Sequence, residues 1–174
     1  MVSRSIEGMS ETTLKTYKRV LTKFFNCVRK SPVDITANDA RVWIYNYEQQ
    51  HDISKRTLDL YRTIVSSFFQ WASGEGIIPA NPMISVKRIK YAKKPRKAMN
   101  QIELEYIREA CNTVKERAIV DFLYSTGCRI CELSRVKKLD IDWEKKEVLI
   151  LGKGSKYRTA FLNAKALVSL KKYF

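Results

Sequence analysis

Ser125-Thr126-Gly127-Cys128-Arg129-Ile130-Cys131-Glu132-Leu133 is the stretch whose reading decides the fold. Gly127 ends one helix, a single arginine opens the next, and a glutamate follows one turn later. Downstream, Leu151-Gly152-Lys153-Gly154-Ser155-Lys156-Tyr157-Arg158 sets a lysine in a tight turn. The flanking runs, 147–151 and 157–162, read as two antiparallel strands. Reaction at a phosphodiester means stabilising extra negative charge on nonbridging oxygens. Arginine suits that task because its planar fork donates two bonds and never loses its proton. Beside a helix start, Arg129 would also have backbone N–H groups for company, and Glu132 could hold the guanidinium in place. Lys153, between two glycines, could swing and give its proton to a leaving alkoxide. Taken singly, Arg129–Glu132 also reads as a surface ion pair and Lys153 as a turn residue kept for solubility. The two gain meaning only if the fold brings them to one phosphate.

At the N-terminal end, three helices open the chain. Ser10 caps the first, with Leu14, Tyr17, Leu21, Phe24, Phe25 and Val28 on one face. Thr36 and Asp39 form a capping box for the second, whose inner face carries Ala40, Trp43, Ile44 and Tyr47. Ser54 caps the third, with Leu58, Tyr61, Ile64, Val65, Phe68 and Trp71 inside and Gly74 as its stop. At this spacing the aromatic stripe reads as packing between helices, not as a platform for bases. The polar side of the third helix carries Lys55, Arg56, Thr57 and Arg62. Both phosphate binding and ordinary solvation remain open for it.

From Lys87 to Lys97 the chain carries Lys87, Arg88, Lys90, Lys93, Lys94, Arg96 and Lys97 without one acid. Like charges at that density resist packing into a core, so the stretch reads as an extended basic linker tracking a phosphate backbone, or as a plain tether. It divides a helical domain, 1–86, from a second domain, 98–174. There Asn100 with Glu103 caps a helix expected to bury Ile102, Tyr106, Ile107 and Ala110. A further helix runs to Gly127, the Arg129 helix ends near Arg135, and Asn163 caps a last one. The fold class is thus mainly α with a small antiparallel β element.

The 174 residues hold 33 Lys+Arg against 18 Asp+Glu, a formal charge of +15. That excess is an electrostatic footprint for a polyanion, nucleic acid before membrane. No apolar run approaches the roughly 18 residues needed to span a bilayer, and nothing resembles a signal peptide. A cytoplasmic location and reduced Cys27, Cys111, Cys128 and Cys131 are expected. Three patterns are decoys. Cys128-x-x-Cys131 has no second ligand pair for zinc. Gly152-Lys153-Gly154-Ser155 is no nucleotide loop, since Glu147 stands where the first glycine should be. Asp140, Asp142 and Glu144 read as turn chemistry, not a metal site.

With these residues in view, the chain resembles the tyrosine recombinase (phage integrase) family. Thr126 to Leu133 looks like that family's first arginine box, and Asp140-Ile141-Asp142 followed by Gly152 to Lys156 looks like its lysine-bearing strand–turn–strand element. The resemblance implies a helical core-binding (SAM-like) domain followed by the opening of an α+β catalytic domain, closing on duplex DNA as a clamp. It implies that Arg129 clamps the scissile phosphate, Glu132 supports it, and Lys153 serves as general acid toward the leaving 5′ oxygen. It implies no metal and no nucleotide cofactor, self-association on DNA in the full-length protein, and DNA contacts that include Lys156 and Arg158. The family's His-x-x-Arg box and tyrosine nucleophile are expected beyond this segment. Tyr173 follows Arg129 too closely, with no second box between, to serve as that nucleophile. Alone, the segment is therefore expected to be inactive, either the front of a recombinase or a non-catalytic module that occupies recombination sites.

Overall fold

The computed structural model describes residues 6, 8–92, 95, 97–152, 154 and 156–174. The chain divides into two units between residues 94 and 95.

Among the described residues, three helices of fourteen residues or more and two short 3-10 turns make the first unit. Helix α1 (Glu11–Val28) starts at Ser10, whose Oγ accepts the Thr13 N–H. Helix α2 (Ala37–Gln50) opens with the full Thr36–Asp39 capping box, and α3 (Lys55–Gly74) with Ser54 accepting from Thr57. Satisfying these otherwise orphaned donors fixes where each helix begins. The 3-10 turns span Pro32–Asp34 and Pro82–Ser85. Phe24 is the hub of the core, edge-on to Trp43 (centroids 5.0 Å apart) and to Phe69 (6.0 Å). Phe25 meets Phe68 in the same way at 5.2 Å. The aromatic stripe is interhelical packing, favourable beyond its buried area because ring edges meet ring faces. Val20 and Phe69, both fully buried, complete the face expected from spacing.

Among the described residues, the second unit holds four helices and a three-stranded antiparallel sheet. Helix α4 (Gln101–Glu109) carries the Asn100–Glu103 capping box, and α5 (Val114–Thr126) a further one from Thr113 and Glu116. Gly127 closes α5 at φ 58°, a left-handed position where a Cβ is costly, and its N–H bonds to Leu123 O. Helix α6 is a single turn, Ile130–Leu133. Strands β1 (Ile141–Asp142), β2 (Glu147–Leu151) and β3 (Tyr157–Phe161) follow in spatial order β1-β2-β3, and α7 (Ala164–Tyr173) returns against α5. Ala118, Phe122, Val148, Ile150, Ala160, Ala166 and Leu170 form the core.

Several expectations are corrected here. The sheet gains β1, too short to carry an alternation of its own. Helix α3, by contrast, ends at Gly74 as expected. On α4, Ile102, Tyr106 and Ile107 are exposed, while Leu104 and Arg108 face inward. The reason is a buried partner. Arg108 Nε donates to Asp121 Oδ1 at 2.6 Å, and a desolvated charge pair sets the rotation of the helix. Among the described residues, no helix is long and apolar enough to cross a membrane.

Candidate functional site

Arg129 is the N-cap of α6, not a residue inside it. Its backbone N–H donates to Glu132 Oε2 at 3.0 Å, and its Nη1 donates to Glu132 Oε1 at 2.9 Å. One turn of helix has little dipole, so the field at Arg129 comes mainly from side chains. Glu132 is buried, whereas the Arg129 side chain is 70% exposed. The carboxylate therefore holds the guanidinium from below and leaves its outer edge to solvent.

A second arginine shares that carboxylate. Arg158 Nη2 donates to Glu132 Oε2 at 2.9 Å from its place on β3, opposite Ile150. Arg158 and Ala160 lie on the inner side of the hairpin, and Tyr157, Thr159 and Phe161 on the outer side. Period-two alternation is the signal that could have placed Arg158 inward and prompted a search for its acid. Arg129's backbone N–H first, then the Arg158 and Arg129 guanidinium groups, hold the Glu132 carboxyl down at about 2.

The turn that follows β2 starts beside this cluster. Gly152 N–H bonds to Lys156 O at 2.8 Å. A Cβ on Gly152 would sit 3.3 Å from Lys156 O, 3.6 Å from Arg158 Nη1 and 3.8 Å from Glu132 Oε1. Glycine allows that close approach. Lys156 is exposed. Lys153, with Lys93, Lys94 and Arg96, lies outside the described residues.

In the first unit, Lys55 and Arg56 are exposed at the start of α3. Thr57 is half-buried, its hydroxyl 2.8 Å from that of Ser54 within the cap. Arg62 is not an open cation. Only 14% of its side chain is exposed, and Nε donates to buried Asp59 at 3.0 Å. Asp59 also accepts Arg88 Nε at 3.1 Å and the Ile89 N–H at 3.0 Å. Burial pushes its carboxyl up, but these donors outweigh burial and hold it below the usual range. Asp59 thus ties the start of the basic stretch to α3, a role visible only as an i, i+3 Asp–Arg spacing in sequence. Lys87 and Lys90 are exposed, Arg88 keeps 68% of its side chain exposed, and Lys97 pairs with Glu103 at 3.2 Å.

Asp140 accepts the Lys137 N–H, and Asp142 those of Glu144 and Lys145, which is turn chemistry. Cys128 is buried and Cys131 exposed. Among the described residues, no three His, Cys, Asp or Glu side chains are grouped to hold a metal ion.

Residues 95–174 match the phage integrase family, and residues 2–78 match the phage integrase N-terminal SAM-like domain. The chain belongs to the phage integrase (tyrosine recombinase) family. Among curated relatives, tyrosine recombinase XerD of Rickettsia conorii is 28% identical, with 95% of this chain and 59% of that protein covered. Tyrosine recombinase XerC of Thermodesulfovibrio yellowstonii is 30% identical over 96% of this chain and 57% of its own length. The chain thus spans somewhat over half the length of these relatives. Two solved structures share the fold. A lambda integrase dimer bound to a COC' core site has a TM-score of 0.75 at 20% identity, covering 97% of this chain and 64% of its own. The Tn1549 transposon integrase with a circular intermediate DNA has a TM-score of 0.74 at 15% identity, covering 97% and 61%.

Proposed function

We propose that this chain is the DNA-binding and phosphate-clamping segment of a site-specific tyrosine recombinase that breaks and rejoins DNA through a 3′-phosphotyrosine intermediate. The observation that carries the reading is an exposed Arg129 guanidinium seated on buried Glu132, with Gly152, the chain neighbour of Lys153, beside that carboxylate. In this reading Arg129 stabilises charge on the scissile phosphate, Glu132 orients it, and Lys153 protonates the leaving 5′ oxygen. Domain 1–86, the basic stretch 87–97 and domain 98–174 act together on double-stranded DNA, and copies associate on it. Lys55, Arg56, Lys87, Arg88, Lys90, Lys93, Lys94, Arg96, Lys97 and Lys156 neutralise phosphates. Thr57 and Arg62 are already engaged within α3 and contribute less. Support comes from the +15 charge and from relatives whose names are those of recombinases.

Binding of a DNA duplex as salt is raised tests the reading. The logarithm of affinity should fall linearly with log salt, with a slope of several units, because each neutralised phosphate releases counterions. A flat response rejects it. A suicide substrate then separates the two uses of such a segment. A covalent protein–DNA adduct means that the chain carries a nucleophile after all. Binding without an adduct fits a segment that occupies sites and relies on residues beyond it for chemistry.

A further inference from the structure

We propose that Arg158 is a positioning residue which, by occupying Glu132 Oε2, keeps Arg129 from closing on Glu132 with both arms and so holds its fork open for a phosphate. The inference rests on the function proposed above and assigns Arg158 a different task from a direct DNA contact.

The hydrogen bonds carry it. Glu132 has two oxygens and three donors. Oε1 takes Arg129 Nη1, while Oε2 takes the Arg129 backbone N–H and Arg158 Nη2. A carboxylate and a guanidinium left to themselves form a two-bonded, fork-to-fork pair. Among the described residues, Arg129 instead makes one guanidinium bond, and the second oxygen is filled. Closed on both oxygens, Arg129 would turn its matching edge inward and meet a phosphate as half of a neutral pair. With Arg158 in place, two cations share one anion, and the cluster keeps a net positive charge on its open side. Exposure agrees with the division of labour, at 70% for the Arg129 side chain and 40% for Arg158. Arg158 also lies at the base of the turn, its Nη1 3.6 Å from where a Cβ on Gly152 would sit.

Inorganic phosphate is the probe, titrated into the 174-residue chain while the side-chain ¹⁵Nε signals of Arg129 and Arg158 are followed by NMR. Arg158→Met, which removes the donor and keeps the bulk, should weaken phosphate about tenfold, as expected for losing a unit charge and the open fork together. Arg158→Lys, still able to fill Oε2, should stay within about threefold. In a Glu132→Gln background there is no carboxylate to close upon, so Arg158→Met should cost threefold or less. Equal losses in both backgrounds would mean that Arg158 meets the anion itself, and no loss from Arg158→Met would leave it no role. Either result overturns the inference. Should Arg158→Met not fold, Arg158→Lys decides alone, since a loss beyond about threefold contradicts the proposal. Failure of the underlying reading looks different. In that case Arg129→Met leaves the phosphate-induced shift of Arg158 unchanged.

Discussion

Asp121 and Glu132 lie in the same unit, are both buried, and each carry two arginines, yet they end in opposite states. Asp121 accepts Arg108 at 2.6 Å and Arg117 at 3.4 Å, and the Ser169 hydroxyl closes the remaining side. Arg108 is only 2% exposed, so its charge is spent inside the protein. Glu132 accepts Arg129 and Arg158 at 2.9 Å each, but Arg129 stands mostly in solvent. The first triad fixes the packing of α4, α5 and α7. The second presents a cation. Asp59 in the other unit is intermediate, with Arg62 enclosed and Arg88 largely exposed. In a chain with so few acids, a buried carboxylate decides whether a neighbouring arginine is structural or available.

Asp121→Asn should have the largest effect on stability. It leaves Arg108, buried, with the half-exposed Glu105 carboxylate at 2.5 Å as its remaining acid and should cost about 3 kcal/mol, the lower end for breaking a buried pair, read as a lowered urea midpoint by tryptophan fluorescence. A loss under about 1 kcal/mol would erase the contrast between the triads. Asp59→Asn should cost about 2 kcal/mol, and trypsin should then cut after Arg88 faster, because Arg88 and the Ile89 N–H lose their anchor. An unchanged cleavage rate would show that the basic stretch is not tied to α3 through this residue.

The next effect appears only in acid. Glu132 titrates near 2 when folded against 4.5 unfolded, so its contribution to stability is complete above 4.5 and is lost as pH falls from there toward 2. Glu132→Gln should flatten that limb of the stability–pH curve for the second unit, and an unaltered acid slope would contradict the assignment. Smallest is Arg129→Met, within about 0.5 kcal/mol of wild type in urea unfolding, because the guanidinium is exposed. A large loss would make Arg129 a structural residue like Arg108.

Much of this was legible from local spacing. The Thr36–Asp39 and Asn100–Glu103 boxes join groups three residues apart, so no tertiary knowledge is needed to place them. The Phe24 face followed from helical period for the same reason. Helix α4 defeated that logic, because Ile102 and Tyr106 form a plausible apolar face while Arg108 answers to an acid thirteen residues away. Strand β1, with two residues, lies below the length at which alternation can be read. Arg158 was recognised as basic but not as a partner of Glu132, since twenty-six residues and a strand pairing separate them.

From the order of residues alone came the helix starts, the aromatic core, the basic excess, and Arg129 and Glu132 as a candidate pair, all of them short-range or bulk properties. Which cations are spent and which stay open was settled only in three dimensions. A carboxylate has two oxygens, and which guanidinium reaches each of them depends on chain segments that meet only when the molecule folds.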